Sequence, residues 1–333
     1  MYKRENRQMS FYDEVYERAV PEGHFLRMLD QIVNWRSFKK YFSKHYKERG
    51  RNAHNPVMMF KLLILQFIYN LSDRQLEEAA RDRISFRWFA RIDPVGDPPD
   101  YSCFSRFRDR LGPETIKKLF QSVVDQAGVK GLVVDRLSIV DATDIKSKVD
   151  VFKNDPPRGS SGPDPDACWG KKSDNKPFHG YKAHMAMDDG SEIITLVEAS
   201  TGEVNDGHFF DAVHDPNASV VTADKGYDSQ SNFDEVRSAG QVPAIIVKRK
   251  KGKQRGHVSS RYFEDELPYY YRYRKRRPRI EHKFGEGKKY HGLGQCRYWS
   301  LAKVRMQIFL TAIALNLKRM IKLEYGVCLW QTV

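Results

Sequence analysis

The sequence predicts an α/β protein in which a mixed-sheet domain follows an all-helical N-terminal region. Three observations carry this. Up to about residue 130 apolar residues recur at helical spacing, and beyond it strand-like runs alternate with helical ones. Between two of those runs stands Asp188-Asp189-Gly190, a strong hairpin signal. The predicted division is a helical domain over 1–130 and an α/β domain over 131–333.

In the first region, Phe25, Met28, Leu29 and Ile32 stand at three- and four-residue spacings. "NPVMMFKLLILQFIYNLS" opens with Pro56 at the first helical position and is apolar on nearly all sides, which predicts a buried central helix. Ser72 caps "DRQLEEAARD", and Ser102 opens "CFSRFRDRL" after the breaker "DPVGDPPD". These short helices resemble a helix-turn-helix, with Arg106 and Arg108 facing DNA or forming an ordinary solvated row.

The second region begins with the strand "LSIVDATDI". The stretch from Asp150 to Lys176 reads as loop, rich in Pro, Gly, Ser and Asp. "HGYKAHMAM" and "SEIITLVEAS" form the hairpin, followed by a short helix after "NDGH" and the strand "SVVTAD". A helix "SNFDEVRSAG", capped near Ser231 and Asn232 and closed by Gly240, leads to the strand "VPAIIVKRK". Two helices, "PRIEHKFGEGKKY" and "SLAKVRMQIFLTAIALNLKRMIKLEY", end the series.

Lys and Arg number 57 against 43 Asp and Glu, a net charge of +14. Such a balance points to a polyanionic partner, DNA or RNA, or to a merely soluble basic protein. The four scattered cysteines form no C-x-x-C, so neither a zinc module nor a disulfide framework is expected. A charged start without an apolar core, and no apolar run near the roughly 20 residues of a membrane span, predict a cytoplasmic protein. "RGSSG" lacks the phosphate-loop pattern, so no bound ATP is implied, and the histidines show no H-x3-H spacing.

Two predicted strands end on acids, Asp141 in "LSIVDATD" and Asp224 in "SVVTAD". An acid at a strand end is commonly a helix cap or an ion-pair partner. Two from separate strands in a basic protein also make hard ligands for Mg2+, and two such ions about 4 Å apart can hold both oxygens of a phosphodiester displacement. Past Asp224, Gly226 is expected to allow a tight turn and Tyr227 to pack it back onto the sheet. Arg277, Glu281 and Lys288 stand at i, i+4 and i+11, one face of a helix. There the carboxylate takes a metal and the cations take phosphate, or Arg277 and Glu281 form a surface ion pair. Asp144, three residues after Asp141, points to the opposite strand face and reads as a supporting residue.

"IVDATDI", "ADKGYDS" and the R-x3-E-x6-K spacing resemble the signatures of DDE-type bacterial insertion-sequence transposases. The helical stretch from Asn55 through "PDYSCFSRFRDRL" is similar to the region preceding catalysis in one branch of that family, and "HGYKAHMAMD" to its second strand. The resemblance implies an RNase H-like catalytic domain and the triad Asp141, Asp224 and Glu281, holding Mg2+ or Mn2+. Arg277 and Lys288 would bind flanking phosphates. It further implies a bacterial, nucleoid-associated enzyme that cleaves double-stranded DNA at terminal inverted repeats and transfers the end to target DNA, as a homodimer on DNA. The family's tyrosine, three residues before the arginine, falls on Arg274, with Tyr273 one place off. The alternatives are a metal-dependent nuclease of the same fold and a catalytically silent DNA-binding regulator.

Overall fold

A computed structural model describes residues 11–46, 53–93, 95–134, 136–149, 164–173, 176–248, 258 and 260–328. The chain forms two compact units, Met1–Val129 with Leu310–Val333, and Lys130–Phe309. Residues from Leu310 onward, assigned from sequence to the second domain, thus group with the first unit.

The first unit is helical, with α1 (Phe11–Ala19), α2 (Phe25–Ile32), α3 (Lys39–Phe42), α4 (Pro56–Ile68), α5 (Asp73–Asp82), α6 (Ile84–Ala90) and α7 (Tyr101–Val129). α4 starts as its sequence demands: the Asn55 side chain accepts from Val57 N–H, and Pro56, which has no N–H to satisfy, takes the first turn. Nearly all of α4 is buried, Lys61 included. That ammonium is neutralised by Asp30 at 2.5 Å and also donates to the Phe89 carbonyl at 3.0 Å. Ser72 and Gln75 form a capping box on α5, as expected. α7 is capped by Asp100, whose carboxylate accepts from Ser102 N–H at 2.8 Å, so Ser102 is not the cap. Gly112, at φ 67, breaks α7 ahead of Pro113.

Among the described residues the second unit holds six strands, β1 (Leu137–Lys146), β2 (Cys168–Ser173), β3 (Lys176–Asp188), β4 (Ile194–Thr201), β5 (Val220–Ala223) and β6 (Val242–Pro243). Their order is β2-β3-β1-β5-β6, with β4 also on β3. β1, β3 and β4 pair antiparallel, while β5 runs parallel to β1 and β6 parallel to β5. β2 lies in the stretch read as loop: its antiparallel pairing with β3 supplies what its own composition does not. β6 is shorter than predicted, although Ala244 and Ile246 N–H groups continue bonding to Val221 and Ala223 carbonyls. Gly180, at φ 151, sits where β3 crosses the end of β1; a Cβ there would meet the Ile145 carbonyl at 2.1 Å.

The helices of this part are α8 (Gln230–Ser238), α9 (Leu267–Tyr273) and α10 (Arg279–Tyr290), and α11 (Leu301–Tyr325) begins here and continues into the first unit from Leu310. α8 is capped by Ser229, two residues before the predicted cap. α9, rich in tyrosine, has no counterpart in the sequence reading. Most of the charge run 247–257 lies outside the described residues. All four cysteines are free. Among the described residues no helix is long and apolar enough to cross a membrane.

Candidate active site

β5 stops opposite Val140, where Val140 pairs with Ala223. The next residue on each of these parallel strands is an acid, Asp141 and Asp224. β1 runs on past that point, and α10 packs against it. At its far end Lys146 bridges Gln295. Asp224 therefore stands just past the end of β5, whereas Asp141, expected from sequence at a strand end, lies in the middle of β1, because pairing with β3 carries that strand on to Lys146.

Arg277 precedes α10 and joins two of the acids. One guanidinium nitrogen donates to Asp141 Oδ2 at 2.5 Å and the other to the Glu281 carboxylate, one helical turn on. The spacing read from sequence thus produces both an i, i+4 ion pair and a link to β1. Lys288 Nζ, two turns further, donates to Asp144 Oδ1 at 3.0 Å. Asp144 is therefore the partner of Lys288. α10 reaches both acids because β1 outruns β5 and its edge is open there.

Burial differs sharply across this group. Asp141 is 7% exposed and Asp224 half-buried, whereas the Glu281 side chain is 57% exposed. Burial pushes the Asp141 carboxyl up to about 6. The Arg277 charge and the Ala142 N–H hold it down, and the charge of Asp224 lifts it further. For Asp141, burial outweighs its salt bridge.

The turn after Asp224 is a single 3-10 turn, Lys225–Tyr227. Gly226 does not need a left-handed conformation there. The close approach belongs to Gly207, where a Cβ would meet the Gly226 carbonyl at 2.8 Å. Tyr227 packs into the core, as expected. Asp206, bonded to Lys182 Nζ at 2.8 Å, adds a further charge beside this turn. Sequence reading passed over that pair, and only the strand alternation of β3 could have signalled the inward Lys182. His184 is fully buried, bonds Ser200 at 2.7 Å and stacks on Phe209, a packing role.

A family model described as "Transposase DDE domain" matches residues 134–317, more than half of the chain. A second, "Transposase domain (DUF772)", matches residues 14–110.

The chain belongs to the DDE transposase family.

The cryo-EM structure of a piggyBac transposase synaptic complex with hairpin DNA is similar at 12% identity, covering 90% of this chain and 73% of that one, with a TM-score of 0.42. As a DDE transposase the protein is an enzyme of DNA transposition, and its mixed sheet with a preceding helical region fits an RNase H-like catalytic fold.

Transposases of this family work with a divalent metal. The donors here fit a hard cation in chemistry: carboxylate oxygens, two of them on neighbouring strands just beyond the same rung. Their arrangement is incomplete. Among the described residues no group of three or more His, Cys, Asp or Glu is gathered to hold an ion, and Arg277 stands between Asp141 and Glu281.

In the helical unit the two arginines expected at DNA part company. Arg106 has a side chain 67% exposed, braced by Ser102 Oγ at 2.6 Å. Arg108 is 3% exposed, and its guanidinium grips both oxygens of Asp73 at 2.8 and 2.6 Å and bonds Gln66. It ties α7 to α5 instead of facing outward. A helix's apolar face draws in whatever side chain falls on it, and Arg108 follows the buried Phe104 and Phe107.

Proposed function

We propose that this transposase uses Mg2+ to cleave double-stranded DNA at the ends of an insertion sequence and to join the freed 3′ end to target DNA. The observation that carries this is the register of β1 and β5, which makes Asp141 and Asp224 the first residues beyond the same rung of the sheet. Asp141, Asp224 and Glu281 are the residues that would hold the ion. When bound, the metal lowers the barrier to hydrolysis and transesterification by polarising the phosphodiester and its attacking oxygen.

The chain's own residues supply the rest. Arg277 and Lys288 are cations already directed at this site by Asp141, Glu281 and Asp144. A DNA phosphate entering there competes with the Asp141 and Glu281 carboxylates for the guanidinium, whose two nitrogens would then serve oxygens of one phosphate. Release of Arg277 frees Asp141 and Glu281 at the moment the substrate arrives. Arg106 lies on the exposed surface of the helical unit and is a cation for DNA contact. The working form is a homodimer on DNA, because two element ends must be processed together. Mn2+ is the expected substitute ion.

The test is cleavage and strand transfer on DNA carrying the sequences that flank the gene, with the wild-type protein and an Asp224→Asn variant. Joined product from the wild type and none from the variant is expected. Cutting without joining would make the protein a nuclease, and binding without cutting a regulator.

A further inference from the structure

Between α7 and the start of α4 the helical unit holds a cavity of about 320 Å3. Pockets that take small ligands run from about 300 to 1,000 Å3, so this one has room for a single compact ligand. Met59 of α4 and Phe107 of α7, both buried, make an apolar floor, with the Phe107 ring backed by Phe42 at 6.1 Å. Tyr46 adds a second ring to the lining.

The same lining carries charge. Arg106 and Arg110 stand one helical turn apart on α7, and like charges at that spacing repel. Among the described residues the lining holds one acid, Asp100, 3.8 Å from Arg106. Its carboxylate is already taken up at the head of α7. It accepts from the Ser102 N–H at 2.8 Å, the Ser102 hydroxyl at 2.5 Å and the Cys103 thiol at 3.3 Å. Arg110 has no acidic partner among the described residues and lies over the Tyr46 ring, 4.9 Å from its centroid. A guanidinium so placed uses its face on the ring and keeps its N–H edge for an anion. A bare phosphate would use the arginines but not the floor, and an apolar ligand the floor but not the arginines. A nucleotide uses both.

We propose that this cavity is a site for one nucleotide, its base over Met59 and Phe107 beside Tyr46 and its phosphate on Arg106 and Arg110. The nucleotide is unpaired, because a base stacked inside a duplex cannot reach into a pocket. It arrives as part of a DNA strand or free in solution. As part of DNA, the site rests on the reading of Arg106 as a DNA contact.

The experiment uses the full chain without divalent metal, so that DNA is bound but not cut. Its probes are a fully paired duplex, the same duplex with one unpaired 2-aminopurine nucleotide, the same with an abasic residue there, and free deoxyadenosine monophosphate. The 2-aminopurine duplex should bind about ten-fold more tightly than the paired one, with its fluorescence quenched by stacking, and the abasic duplex should bind like the paired one. Tyr46→Leu and Arg110→Gln, checked for folding by melting curves, should each remove most of that preference. Saturable binding of the free nucleotide, with all three duplexes bound alike, would assign the site to free nucleotides. No preference among the duplexes and no binding of the free nucleotide overturns the proposal, as does a preference that both variants keep in full. Either failure with the paired duplex still bound leaves the transposase reading intact. Loss of all duplex binding would remove the DNA contact of Arg106, and the free-nucleotide titration would then decide the site alone.

Discussion

Arg277 and Asp141 form an ion pair at 2.5 Å between the approach to α10 and the middle of β1, and the same guanidinium also holds Glu281. Removing one partner of a buried pair leaves the other charge uncompensated, which costs more than the pair itself contributes. Arg277→Ala is therefore expected to lower stability by about 3 kcal/mol in urea unfolding of the metal-free protein. Arg277→Lys should recover only part of this, because a single ammonium cannot bridge two carboxylates as a planar fork does. An alanine variant with the wild-type midpoint would mean that the pair contributes nothing.

Asp141 also predicts a pH dependence. Its carboxyl in the folded protein is raised from 3.8 to about 6, so the folded state holds this proton more tightly than the unfolded chain. The associated stability is fully present below about pH 4 and is lost as pH rises through about 6. Asp141→Asn has no proton to lose. Its melting temperature relative to wild type should therefore climb between pH 4 and pH 7. A level or falling difference across that window would show that Arg277 offsets the whole cost of burial.

Glu281→Gln should abolish DNA cleavage with Mg2+ while leaving DNA affinity nearly unchanged. Glutamine keeps the size and one carbonyl oxygen but not the charge that a hard cation needs. Affinity is a sum over many Lys and Arg contacts with phosphates, which one exposed glutamine barely alters. Cleavage at the wild-type rate would leave Glu281 as nothing more than the exposed partner of Arg277.

Arg106 and Arg108 are two residues apart and should fail in opposite ways. Arg108→Ala removes the buried cation that bonds Asp73 and Gln66 and opens a gap between α5 and α7, so a loss of about 3 kcal/mol in stability is expected. Arg106→Ala should leave stability within about 0.5 kcal/mol and weaken DNA binding, with the salt dependence lowered by about one contact. A filter-binding salt titration beside a melting curve separates the two. Loss of DNA affinity in both variants at equal stability would contradict this division.

Much of the architecture was legible because it is written locally. The capping box of Ser72 and Gln75, Pro56 at the head of α4 and the hairpin near Asp189 each depend on residues a few positions apart. Even the choice of Asp141, Asp224 and Glu281 rested on strand ends and a helical spacing. β2 was missed for the opposite reason: what makes it a strand is its pairing with β3, and its own composition reads as loop.

The sequence by itself determined the helical region followed by an α/β region, the excess of positive charge and the three acids worth watching. Only the tertiary structure decided which charges meet. Chain spacing says that Arg277, Glu281 and Lys288 share a helix face, but the partners of the two cations on β1 lie 136 and 144 positions away. The same is true of exposure, which separates Arg106 from Arg108 and buries Tyr227. Periodicity is a property of consecutive residues, whereas burial and ion pairing are set by distance in space, and it is packing between elements that fixes those distances.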